Sequence, residues 1–109
     1  MSTDFIDIWV NCPDRDSAQR IADALIGAHL VACANILAPI SSTYRWKGSV
    51  EQAQEVPLVL KSRRELFDAV AARVRGLHPY EVPSIIATDL PLVEEKYAIW
   101  LEQETRGAA

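Results

Sequence analysis

Apolar residues recur along this chain with two different periods, and the switches between them mark out its elements. From Phe5 to Asn11 the β-formers Phe, Ile, Ile, Trp and Val crowd around one acid, Asp7, which predicts a largely buried strand. Asn11-Cys12-Pro13-Asp14 ends it with turn residues. Asp14 or Asp16 is placed to cap a helix in which Ile21, Ala22, Leu25 and Ile26 recur at helical spacing. Gly27 lies near the end of that helix, as a C-cap or to permit close packing. Leu30 to Ile40 is apolar and runs into Ser-Ser-Thr-Tyr-Arg-Trp, which predicts one long strand or two with a bend at Pro39. Lys47-Gly48-Ser49 is a hairpin turn signal, and Val56 to Lys61 returns as the partner strand, with Pro57 suggesting an edge or bulge at its start.

Ser62, with Glu65 three residues on, has capping-box spacing for a second helix. Leu66, Phe67, Val70, Ala71 and Val74 form its stripe, and Gly76 ends it. A short β-branched run follows from Ser84 to Thr88, with Ile85 to Thr88 as the strand. Pro91 then opens a last helical segment in which Val93, Tyr97, Trp100 and Leu101 share a face. The order β-α-β-β-α-β plus a C-terminal helix predicts an α+β chain of the ferredoxin-like arrangement. Its two helices cover one face of an antiparallel sheet ordered 4-1-3-2. In that topology Cys12, ending strand 1, and His78, before strand 4, fall at the same end of neighbouring strands. Cys33, starting strand 2, falls at the other end.

Between the second helix and the last strand lies Leu77-His78-Pro79-Tyr80-Glu81-Val82-Pro83. Two prolines four apart forbid a helix there and bias His78 and Val82 towards extended backbone. This rigid arm carries an imidazole, a phenol and a carboxylate at a connection, where binding groups sit on a rigid scaffold. The plainer reading is a proline-stiffened turn whose polar groups satisfy nearby backbone.

Composition narrows the function classes. The 109 residues suffice for one domain spanning 1–109 with one core. Eleven basic against fifteen acidic residues, with no basic cluster, argue against nucleic acid as a partner. No apolar run approaches the ~20 residues of a membrane span, and the first residues carry no basic leader, so the expectation is a cytoplasmic protein without a membrane partner. Cys12 and Cys33 would then be thiols. The arm's reading as chemistry starts from Cys12 and His78: thiolate and imidazole suit copper or zinc, though two ligands do not close a site. A small buried thiol is the plainer role for Cys12, and core packing for Cys33. Trp46 reads as an interface anchor. Lys61 is expected to pair with Glu81 or Glu55 at a subunit boundary, or to bind an anion there. No Gly-rich phosphate loop, metalloprotease helix or nucleophile signature supports an enzyme.

Three segments together carry a resemblance: Ala32-Cys33-Ala34-Asn35-Ile36, then Tyr44-Arg45-Trp46-Lys47-Gly48 with Lys61, then the His78 to Pro83 arm. In this order and spacing the chain resembles the CutA proteins, or divalent-cation tolerance proteins, from Phe5 to about Glu104. The resemblance implies the ferredoxin-like fold, a homotrimer formed through the long bent hairpin, and binding of copper or other divalent metal ions in the response to metal. It assigns the metal to Cys12 and His78. The first histidine of the family's adjacent pair is replaced by Leu77, and a cysteine that some members carry in the second helix aligns with Arg73. A different implication, by fold analogy alone, is a trimeric module like the PII signalling proteins. It would bind a small ligand in inter-subunit clefts lined by Trp46, Lys61, Tyr80 and Glu81.

Overall fold

The strand at Phe5–Cys12 (β1) alternates as the pattern requires: Ile6, Ile8, Val10 and Cys12 are buried on one face, while Asp7, Trp9 and Asn11 show on the other. The computed structural model describes residues 4–107. Helix α1 covers Arg15–Gly27, followed by β2 at Cys33–Ile36, β3 at Ile40–Trp46 and β4 at Ser49–Arg63. A single 3-10 turn leads into α2 at Phe67–Leu77, then β5 at Ile85–Asp89 and α3 at Glu95–Glu104.

Every strand pair is antiparallel, and the sheet runs β2-β4-β1-β5, with β3 pairing the first half of β4. This is the expected ferredoxin-like order with an additional C-terminal helix. Strand β4 is the hub. Its residues Ser49 to Glu55 pair with β3, and Val56 to Arg63 pair with β1. The β3–β4 hairpin projects from the body and stretches the molecule to 47 × 26 × 23 Å. Its loop is Lys47-Gly48 alone, both at positive φ (49° and 84°), the two-residue turn whose twist matches the strands it joins.

The core lies between one face of the sheet and helices α1 and α2. Ile8, Val10, Leu58 and Leu60 meet Ile21 and Leu25 of α1 and Val70 and Val74 of α2, and Leu30 and Val31 close the end. On the other face α3 packs against β4, burying Leu101 and Thr105. Arg63 reaches across to both the hydroxyl and the carbonyl of Thr105, at 2.8 and 2.9 Å.

Several local expectations are corrected. Ser62 is no helix cap: it is a fully buried strand residue whose hydroxyl donates to the Leu30 carbonyl at 2.7 Å, and the residue ahead of the 3-10 turn is Arg63. A capping box and a strand's last inward hydroxyl share the same letters. Gly27 is not the C-cap either. The helix ends through Ala28, and His29 takes the left-handed conformation at φ 58°. Pro57 sits in the middle of β4 rather than at its start, opposite Asn11. Its carbonyl accepts from Leu37 N at 2.9 Å, so its missing N–H faces the place where β2 has ended. Pro91 does not open α3; the helix starts at Glu95, with the Glu94 carboxylate accepting from the amides of Lys96 and Tyr97. The apolar stretch from Leu30 splits as one alternative held, with β2 and β3 separated around Pro39.

Candidate functional site at the proline arm

His78 ends α2, where its own backbone N–H still reaches the Val74 carbonyl at 2.8 Å. Its extended ψ then launches the arm. The ring is buried, and both of its nitrogens are engaged. Tyr80 N–H donates to Nδ1 at 3.1 Å, so Nδ1 carries no proton and Nε2 does. Nε2–H donates to the carbonyl of Asn11 at 2.7 Å. The imidazole therefore joins the arm to the end of β1 and fixes the first turn of the arm on itself. The Tyr80 ring lies against it, with centroids 4.7 Å apart.

Cys12 follows Asn11 and is fully buried at the end of β1, opposite Val56. Burial, aided by the charges of Asp14 and Glu55, pushes its thiol up to about 11. A protonated thiol and an imidazole with both nitrogens occupied do not make a closed metal site as they stand. No cluster of three or more His, Cys, Asp or Glu side chains converges among the described residues. Cys33 is far from this end. It shares a cross-strand row with Lys61 and Asp7, and its thiol faces the Asn35 side chain at 3.8 Å.

Between the arm and the hairpin opens a cleft of about 570 Å³, lined by Tyr44, Arg45, Trp46 and Glu55, by Pro79 to Val82 of the arm, and by Ser84. Of the residues singled out in the sequence, Trp46, Tyr80 and Glu81 line this cleft. Lys61 is not among them: its ammonium pairs with Asp7 at 3.0 Å on the sheet face away from α1 and α2, rather than with Glu81 or Glu55. Glu81 instead faces Lys47 at 3.7 Å, at the exposed rim, and the same ammonium lies 5.4 Å from the centre of the Trp46 ring.

Glu55, expected from the sequence only as a partner for Lys61, has a different place. It is 6% exposed, and its side chain lies near enough to Tyr80 to act on the phenol. Burial, then the charge and hydrogen bond of Glu55, push the Tyr80 phenol up to about 12. The available signal was a lone acid leading an apolar run, Val56-Pro57-Leu58-Val59-Leu60.

The fold and the arm together define an α+β protein of ferredoxin-like topology with a cleft beside its helix-to-strand arm. The family model described as "CutA1 divalent ion tolerance protein" matches residues 6–104, and the chain belongs to that family. The family is one of tolerance proteins, not enzymes. The divalent-cation tolerance protein CutA of Pyrococcus horikoshii is 39% identical over 91% of this chain and 96% of its own length. The chloroplastic protein CutA 1 of Oryza sativa is 37% identical over 91% of this chain but 56% of its own length, so the chain spans just over half of that relative. A crystal structure of CutA1 from Oryza sativa superposes with a TM-score of 0.91 at 35% identity, covering 96% of each chain.

Proposed function

We propose that this chain is the protomer of a homotrimer that binds divalent metal ions, copper foremost, weakly and at Cys12 and His78. The observation that supports the site is the meeting of the two residues at one end of the molecule, where His78 Nε2 is bonded to the carbonyl of the residue preceding Cys12. Thiolate and imidazole are the donor pair that copper and zinc prefer. The affinity is low because each donor is already in use. A metal at either ring nitrogen displaces a backbone hydrogen bond, and a metal at Sγ displaces a proton held well above the usual range. Leu77, 40% exposed beside His78, supplies no ligand.

The trimer is supported by apolar surface that one copy leaves uncovered. Val50 on the hairpin, Trp9 and Ile86 on the sheet face away from α1 and α2, and Trp100 on α3 are all exposed. The same reading assigns the chain to the cytoplasm, where its two free cysteines remain thiols.

Calorimetric titration of copper tests the site. Weak binding that fades as pH falls is expected, weakened further by Cys12→Ser, strengthened by Leu77→His, and untouched by Cys33→Ser. Binding unaffected by Cys12→Ser and Leu77→His would overturn the site. Sedimentation equilibrium tests the assembly, and a stable 12.1 kDa monomer would refute the trimer.

A further inference from the structure

Glu55 is an acid that the fold covers without pairing it to a base. Among the described residues it enters no ion pair, although it is 6% exposed and lines the cleft between hairpin and arm. A buried carboxylate without a cationic partner is costly. The register of the hairpin pairs Ile40 with Glu55, Tyr44 with Glu51 and Trp46 with Ser49, so Glu55, Tyr44 and Trp46 all fall on one face. Tyr80 closes over this face from the arm, near both Glu55 and Tyr44. The cleft therefore brings Glu55 together with the phenols of Tyr80 and Tyr44, and Val82 and Trp46 complete its apolar wall.

The rim of the same cleft holds a cation of its own. Lys47 places its ammonium within reach of both the Trp46 ring and the Glu81 carboxylate. The inner end repeats that combination of aromatic residue and carboxylate; the basic residue in the lining is Arg45, which alternates to the opposite face of β3 from Tyr44 and Trp46. Aromatic faces attract a cation through the ring quadrupole, more strongly once the cation is desolvated, and a buried carboxylate adds directional charge.

We propose that the cleft between the β3–β4 hairpin and the proline arm binds an organic ammonium ion, its cationic head at Glu55 between Tyr44 and Tyr80 and its apolar tail along Val82 and Trp46. The volume of about 570 Å³ is in the range of small-molecule sites, ample for an alkylated ammonium with a short tail. This inference is independent of copper at Cys12 and His78. It requires the cleft to stay open when copies assemble.

The test uses the assembled native protein and a matched pair of probes: choline and its neutral carbon isostere 3,3-dimethylbutan-1-ol. Binding is followed by the indole signal of Trp46 and the amide signals of the arm in NMR titrations. Saturable choline binding in the millimolar range or tighter is expected, with the isostere weaker by about tenfold or more. Glu55→Gln, which keeps the shape and removes the charge, should cost choline a similar factor and leave the isostere unchanged. Equal binding of the two probes would overturn the proposal, and needs no variant to read. So would an absence of saturable choline binding. If Glu55→Gln instead dissociates the assembly and choline does not bind, the ammonium that Glu55 receives is a lysine of a neighbouring copy, and the free-ligand proposal is wrong.

Discussion

Replacing His78 with alanine should loosen the arm far more than any other single change in it. Two hydrogen bonds vanish: Nε2 to the Asn11 carbonyl at 2.7 Å and Tyr80 N–H to Nδ1 at 3.1 Å. Each is worth about 1 kcal/mol net, and the partners are left part-buried. The vacated space of a ring only 7% exposed adds on the order of 1 kcal/mol, since the neighbouring Tyr80 ring collapses into it only in part. The expected loss is therefore about 3 kcal/mol, measured by urea denaturation at fixed protomer concentration, because assembly contributes to apparent stability. His78→Gln, with one amide donor and one acceptor on a flexible stem, should recover part of it. Hydrogen exchange at the Tyr80 amide should accelerate in His78→Ala at least as much as the global loss predicts. A loss below about 0.5 kcal/mol, with Tyr80 exchange unchanged, would show that the imidazole does not hold the arm.

Two further expectations concern charge. Lys61→Met should destabilise the fold by about 1–2 kcal/mol, since it strands the half-buried Asp7 carboxylate. Asp7→Asn added to it should restore most of the loss; additive losses in the denaturation of the double variant would refute the coupling. Asp14 caps α1 by accepting from Ser17 N–H at 2.8 Å, and that hydrogen bonding holds its carboxyl below its ordinary 3.8. A depressed folded value means that the stabilisation is complete above the unfolded value and fades as pH drops through the folded one. Asp14→Ala should therefore be less stable than the native chain at neutral pH, and the gap should close at the acidic end. A gap constant with pH would contradict this.

The strand order and the juxtaposition of β1's end with the arm were legible because both follow from hydrophobic periodicity and a topology with few alternatives. Ser62, Gly27 and Pro57 were misread for a shared reason: each letter has a common local meaning that tertiary context overrode. Ser62 prefers the Leu30 carbonyl to its own helix, and Pro57 survives mid-strand because β2 stops beside it. The pairing of Lys61 with Asp7 depends on β1–β4 register, which periodicity leaves open by steps of two residues. Glu55 was hidden more deeply. Its neighbour in the fold is Tyr80, from an arm twenty-five positions later, and no local pattern announces that the two will meet.

Strand β4 also limits how members of this lineage can differ in length. One unbroken run from Ser49 to Arg63 serves the hairpin with its first half and the sheet with its second. A single inserted residue anywhere inside it turns one half over, putting Glu55 and Ala53 on the wrong side of the hairpin or Leu58 and Leu60 out of the core. Inheritance can therefore add or remove residues only at the Lys47-Gly48 tip, in equal numbers on β3 and β4. Each such pair moves the tip by about 3.3 Å. Descent could thus adjust the reach of the hairpin, and with it the depth of the cleft, while the helices and the core keep their sequence positions relative to one another.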